Sequence, residues 1–388
     1  AIVRDGRVTL AEEGVDIGEW RTATQAIEVK TMGLGGDSLI SFDKFEQLTI
    51  GPRKATPLSW LVHKYPETRT ELERIAREKR WYTISLIQFF YIIRGISDNI
   101  PLSQGEASIL NALKNGPKSI EQLSAMVDVL PYFLDTERLE SLGVIGRSSL
   151  TPTDFMHITG WYSPWDKKAA LMGAKAMAHR LGMGLETLIK RVEERIEAML
   201  FSMISNHLLD RAWKRKIGGL NEQAYRLLMM GFYQDSQEFV CKFNTPLALV
   251  SIGAPTHVYL PGVAEKLGTR CVVPKDAAVA NAVGAITGSI VAEETVIIKP
   301  RYEVAGITGY GCHSSADYKE FEDYEPALQW AIDHGRHQAK TMVRSMGAKE
   351  VEVVVDHKKQ IADLGEEKED GILLESRVVV RAIGKAAI

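Results

Sequence analysis

From Ala1 to about Pro57 apolar residues come in short runs cut by turn residues, a pattern that predicts strands. Ala1-Ile2-Val3-Arg4 and Arg7-Val8-Thr9-Leu10 flank an Asp5-Gly6 turn and read as a hairpin. Ala26-Ile27-Glu28-Val29-Lys30 reads as a strand that delivers the backbone into Gly33-Leu34-Gly35-Gly36-Asp37-Ser38. From Leu58 to about Phe239 the apolar spacing changes to three and four, as in Thr70 to Arg80 and Lys167 to Leu200. A helical insertion in a strand-rich frame is the expectation. Within it, helices around Ala107–Leu113, Ile120–Val127 and Thr136–Leu142 precede Gly143-Val144-Ile145, the element order of a winged helix over 103–150.

Beyond Phe239 the pattern returns to strand, loop, helix, strand, helix. Leu247–Ile252 is an apolar run of buried-strand type that ends at Gly253-Ala254-Pro255-Thr256, and Tyr259–Leu267 predicts a helix stopped by Gly268. Cys271-Val272-Val273-Pro274 predicts a strand, and Asp276 opens a helix of small residues, Ala277 to Ala292. The last section adds a helix near Pro326–Ser345 and two strands, Val351–Asp356 and Ile372–Ile383, around a charged stretch. The chain is thus expected to be α/β, with a small C-terminal α+β domain from 299 to 388.

Composition narrows this little. A length of 388 residues suggests two or three domains, and 45% hydrophobic with 25% charged residues is a globular balance. A net charge of −3 gives no basic footprint for nucleic acid; the local patch Arg211 to Lys216 reads as a solvated helix face. Three cysteines, Cys241, Cys271 and Cys312, form no C-x-x-C pair, so no disulfide framework or cysteine zinc site is expected. No apolar run approaches the roughly 20 residues of a membrane span, and a cytoplasmic protein that neither binds nucleic acid nor enters a membrane is expected. Opening within a strand at Ala1, the sequence reads as a processed or partial one.

Two loops attract chemistry. Gly33, Gly35 and Gly36 let a ligand approach the backbone, Ser38 adds a hydroxyl, and Asp37 repels phosphate but suits a metal ion beside it. A plain tight turn is the alternative. Gly253-Ala254-Pro255 lies between a strand end and a helix start, where α/β sheets gather ligands and a helix dipole favours anions; a simple strand-to-helix turn competes. Leu150-Thr151-Pro152-Thr153-Asp154 is a helix start with Thr151 as cap and Asp154 three residues on. His157, one turn further, leaves an acid-base or metal pair with Asp154 open beside the capping role. His334 and His337, three apart on a helix, read as surface residues.

Taken in order, Thr31-Met32-Gly33-Leu34-Gly35-Gly36-Asp37-Ser38, Leu150-Thr151-Pro152-Thr153-Asp154 with Trp165-Asp166, Gly253-Ala254-Pro255-Thr256-His257 with Leu260-Pro261, and Val279-Ala280-Asn281-Ala282-Val283-Gly284-Ala285 resemble the hydantoinase A / 5-oxoprolinase family. The resemblance runs along nearly the whole chain. It implies an actin-type ATPase lobe of ribonuclease-H-like fold from 1–57 and 240–298, a helical insertion over 58–239, an adenosine motif at Gly253, Ala254 and Pro255, and a connecting helix at Ala277–Ala292. It also implies ATP with a divalent cation, magnesium by expectation, and ATP-dependent ring opening of a cyclic amide such as hydantoin or 5-oxoproline. Partners so implied are a hydantoinase B-type subunit and further subunits in a homo- or hetero-oligomer. In that family a phosphate-binding hairpin and a first lobe precede a segment like Ile2–Arg7, so this chain is expected to hold only the later part of a nucleotide site. Asp37 stands where the family loop carries a third glycine. Two other readings share these motifs: the ATP-using subunit of an acetone- or acetophenone-carboxylase-like complex, and a non-catalytic nucleotide sensor or scaffold.

Overall fold

The structure is a computed structural model; it describes residues 1–388 apart from 5–6, 9, 12–15, 18–19, 22–25, 79–83, 98, 213–220, 235–237, 254–255, 304–305, 363–371 and 387–388. Two units divide at Lys275 and Asp276. In the first, Val3–Arg4 (β1) pairs with Arg7–Val8 (β2), Leu10–Ala11 (β3) with a later strand, and Asp16–Ile17 (β4) with Trp20–Arg21 (β5); Ala26–Ile27 (β6) is the partner of β3. The expected Asp5-Gly6 turn lies outside the described residues. Ser38–Phe42 (β7) and Leu48–Lys54 (β8) form an antiparallel hairpin whose apolar Ile40, Phe42 and Ile50 are buried.

Thr56–Pro57 (β9) runs directly into Leu58–Lys64 (α1), followed by Thr68–Glu78 (α2) and Phe89–Ile92 (β10). Gln104–Leu113 (α3), Lys118–Ser119 (β11), Ile120–Met126 (α4), Glu137–Ser141 (α5) and Ile145–Ser149 (β12) then follow in the predicted order. Both α3 and α4 start at serines, Ser103 and Ser119, closed into capping boxes by Glu106 and Gln122. The sheet order is β11-β10-β12-β9, with β9 parallel to β12. β10 escapes the periodicity reading because Phe89, Phe90 and Tyr91 are all buried, and such a run does not alternate.

Pro152–Thr159 (α6), Lys167–Arg180 (α7), Leu185–Ala212 (α8) and Glu222–Tyr233 (α9) complete the helical region. α7 packs closely through Ala169, Ala170, Gly173, Ala174 and Ala178; a methyl on Gly173 would stand 2.5 Å from Leu58 Cδ1. α8 spans 28 residues, about 42 Å, and is the rail on which α7, α9 and Thr256–Lys266 (α10) pack. Its last described cation, Arg211, is ion-paired with Glu28; Trp213 to Lys216 lie outside the described residues. One core cluster joins α1, α2, β10, α3, α7 and α8, and a second joins α8, α9 and α10.

Two strands of the first 57 residues also bond to the helical region: β9 pairs with β12, and the Ile40 N–H of β7 donates to the Leu150 carbonyl at 2.8 Å. Leu249–Val250 (β13) and Cys271–Val272 (β14) pair in parallel only with each other among described strands. The expected buried strand at Leu247–Ile252 is therefore two residues long, with Val250 and Ile252 exposed.

In the second unit, a 3-10 turn at Ala277–Val279 leads into Ala280–Thr287 (α11). This small-residue helix ends before the predicted Ala292, because Ser289–Glu303 (β15) takes over and pairs Val291 with Ile383. β15 also runs through the expected boundary at 298–299. Gly306–His313 (β16), Tyr318–Phe321 (β17), Tyr324–Ser345 (α12), Ala348–Ala362 (β18) and Ile372–Ala386 (β19) follow. The five strands form one antiparallel sheet, β17-β16-β15-β19-β18, and α12 packs on one face through Ala327, Ala331, Gly335, Ala339 and Val343. His334 is packed rather than superficial: its ring stacks on Trp330 at 4.5 Å and bonds to Ser314 Oγ at 3.1 Å. The chain is thus mixed α/β, and no described helix is long and apolar enough to cross a membrane.

Candidate functional site

Three of the sequence-predicted segments meet in the first unit. Leu34 and Gly35 of the glycine loop, Pro152 at the start of α6, Thr256 and Tyr259 of α10, and Ile196 and Leu200 of α8 line one small apolar cleft. The loop is held in place from both sides. Thr153 donates its hydroxyl to the Gly36 carbonyl at 2.8 Å, and the Asp37 carbonyl accepts the Ala55 N–H at 2.8 Å. Ser38 is buried, with its hydroxyl accepting the Gly35 N–H at 2.8 Å, so it closes the loop from within instead of facing a ligand.

Two of the glycines answer to packing. A methyl on Gly33 would stand 2.7 Å from Pro52 Cβ, and one on Gly36 would stand 2.7 Å from Thr153 Oγ1. None of the described hydrogen bonds uses the N–H groups of Gly36 and Asp37, which leaves two adjacent donors on the loop. The Asp37 carboxylate, half exposed, is paired with Lys54 at 2.9 Å. Among the described residues no group of three or more His, Cys, Asp or Glu side chains is arranged to hold a metal.

Asp154 and His157 take structural partners. Asp154 is fully buried and accepts the N–H groups of Leu58 at 3.1 Å, Ser59 at 2.9 Å and Thr151 at 3.0 Å, besides the Thr151 hydroxyl at 3.2 Å. One carboxyl thereby caps α1 and α6 together, which accounts for the Thr-Pro-Thr-Asp sequence more fully than a helix start alone. Burial pushes its pKa above the usual carboxylate range, and the hydrogen bonds from Ser59, Leu58 and Thr151 oppose that rise. His157 is also buried: Nδ1 bonds to the Thr153 carbonyl at 2.8 Å, and Nε2 accepts the Trp165 N–H at 3.2 Å. Bonded through both ring nitrogens, the imidazole braces the turn after α6.

Gly253 adopts φ +92°, a left-handed conformation that favours glycine, and among the described residues no atom beyond its chain neighbours lies within 4 Å of where its Cβ would be. Thr256 fixes the loop by donating to the carbonyls of Ile252 and Gly253, each at 3.0 Å, and by a hydroxyl contact to Ser251 at 2.7 Å. Ala254 and Pro255, expected in the adenosine motif, lie outside the described residues.

Sequence reading missed Glu193, Glu197 and Tyr259. The two acids, four apart on α8, are half-buried beside α10, and a methyl on Gly262 would meet Glu197 Oε1. Burial raises both carboxyls, and the neighbouring charge of Glu193 raises Glu197 further. Burial also raises the Tyr259 phenol, with Glu193 and Glu197 adding to the rise. Their signal was two acids at helical spacing on the face that also carries Val192 and Ile196. No family model, no curated protein and no solved structure matches the chain.

Proposed function

We propose that the chain is part of an ATP-dependent cyclic amidase of the hydantoinase A / 5-oxoprolinase type, with an actin-like ATPase architecture. The observation that carries this reading is the convergence of the glycine loop, the Thr-Pro helix start and the Gly253 helix on one cleft, though they are separated by more than 100 residues at each step. The open space at Gly253 fits close approach of an adenosine, and the apolar wall of Leu34, Ile196, Leu200 and Tyr259 suits a flat ring. The unclaimed Gly36 and Asp37 N–H groups suit an anion, with Lys54 offsetting the Asp37 charge.

ATP would supply an activated phosphoryl group to the amide oxygen with ADP leaving. Ring opening would then need water to add at the amide carbon, the C–N bond to break with a proton going to nitrogen, and a second water to release phosphate from the acyl phosphate, leaving the carboxylate. This chain's contribution would be to position the nucleotide and exclude water from one side of it. A hydantoinase B-type partner would complete hydrolysis.

Calorimetric titration of the protein with ATP and magnesium tests the reading, followed by ATP hydrolysis in the presence of hydantoin, 5-oxoproline, acetone or acetophenone with the partner subunit added. Lactam-stimulated hydrolysis is expected. Ketone stimulation would favour the carboxylase-like alternative, and absence of ATP binding would end the enzyme reading.

A further inference from the structure

A second groove of the first unit lies in the winged-helix-like segment. It encloses about 620 Å3 against α3 and α5, with Ile109, Val127, Val129, Phe133, Leu134 and Leu139 among its lining residues. The last residue of α4 and the strand-free link from α4 to α5 supply an unusual surface beside it: Met126 is 57% exposed, Leu130 66%, and Tyr132 and Phe133 69% each. Val127 and Leu134 in the same link pack on the core, so the link is anchored while its large side chains face outward. Clusters of exposed aromatic and aliphatic side chains of this kind are anchors for partners.

The charges around the groove choose the partner. Arg138 is held by both oxygens of Glu106 at 2.8 Å and by the Pro101 carbonyl at 3.1 Å, so its charge is satisfied internally. Asp135 lines the groove and Asp128 stands in sequence between its lining residues Val127 and Val129; neither has an ion pair among the described residues, whereas Glu137 is offset by Arg53 at 3.1 Å. The surface is therefore an apolar floor with an acidic rim. We propose that it docks a protein segment of complementary kind, an amphipathic helix with apolar anchors three and four residues apart and Lys or Arg flanking them. Nucleic acid fits poorly, since its phosphates would face Asp128 and Asp135. A second copy joined symmetrically through this patch would set acidic rim against acidic rim.

The test uses the full chain and two fluorescent synthetic helices of about five turns, alike in their leucine stripe but flanked by lysine in one and glutamate in the other. Anisotropy should show the lysine peptide binding about tenfold tighter or better. Leu130→Asp with Phe133→Asp, both at exposed positions, should weaken it about tenfold with the circular dichroism spectrum unchanged. Asp128→Lys with Asp135→Lys should turn the preference towards the glutamate peptide. Equal binding of the two peptides, or unchanged binding by both paired variants, overturns the proposal. So does self-association, or duplex DNA binding, that Leu130→Asp with Phe133→Asp abolishes.

Discussion

Asp154→Asn changes one atom and tests how the first unit is held together. The native carboxylate takes three backbone N–H groups and a hydroxyl from two helix starts. An amide keeps one oxygen and turns the other acceptor into a donor, which faces either Ser59 N–H or the Leu58 and Thr151 pair. Leaving one or two buried donors unpaired costs roughly 1–3 kcal/mol each, and relief from burying a charge returns part of it, so a net loss of about 2–3 kcal/mol is expected. At a urea slope of roughly 2–3 kcal/mol per molar, the unfolding midpoint falls by about 1 M. Tryptophan fluorescence reports this unit well, because of the seven tryptophans only Trp330 lies beyond Lys275. The pH dependence adds a second readout. Asp154 is raised in the folded state by burial, so the fold holds this proton to higher pH than the unfolded chain does. Between the ordinary carboxylate value near about 4 and the raised value, native stability therefore declines as pH rises, and the asparagine variant lacks that decline. A variant as stable as the parent, or one with the same pH slope, would refute the double-cap account.

Gly253→Val should abolish ATP binding by filling the open space at a φ of +92°, and calorimetry at unchanged affinity would remove the adenosine role. Gly36→Ala should cost roughly 1–3 kcal/mol in urea unfolding, since its methyl meets Thr153 Oγ1, and adding Thr153→Ala should recover only part because the hydroxyl bond to the Gly36 carbonyl goes too. Arg147→Ala should destabilise by roughly 1.5–3 kcal/mol, because it takes from part-buried Glu140 the charged partner bonded at 2.8 Å and leaves it Thr136 and the more distant Arg53. Glu140 is held below the usual range although burial opposes this, so its contribution is present above its unfolded pKa and lost as pH falls through the lowered value; the Ala variant should lose that acid sensitivity.

Which elements were readable from the residues follows from which forces fixed them. The segments α3, α4, α5, α10 and α12 carry their own stop and start chemistry, such as the Ser103 and Ser119 boxes and the left-handed Gly268 and Gly347, and they appear where the spacing places them. The errors fall where pairing with a distant strand decides. Ser289 to Ala292 has the small residues and spacing of a helix, yet ten residues of β15 pair with β19 and draw it into the sheet. Leu247 to Ile252 has the composition of a buried strand, yet only a two-residue partner is present among described strands, and its length shrinks accordingly.

The site was legible in its parts and not in its assembly. Each motif looked like a local turn because its glycines, caps and prolines have local uses, and the structure gives several of them such uses: Ser38 closes its own loop and Asp154 caps its own helix. What no local pattern encodes is that Asp154 also reaches Ser59, nearly 100 residues away, or that Thr153 grips Gly36 across 117 positions. Those two contacts, one through a carboxylate and one through a hydroxyl, lock the glycine loop and α1 to the same helix start. The cleft beside Tyr259 exists because that lock fixes Leu34 and Gly35 against Pro152. Ser38, Thr153 and Asp154 thus hold the loop and the two helix starts rigid beside the unused N–H donors of Gly36 and Asp37.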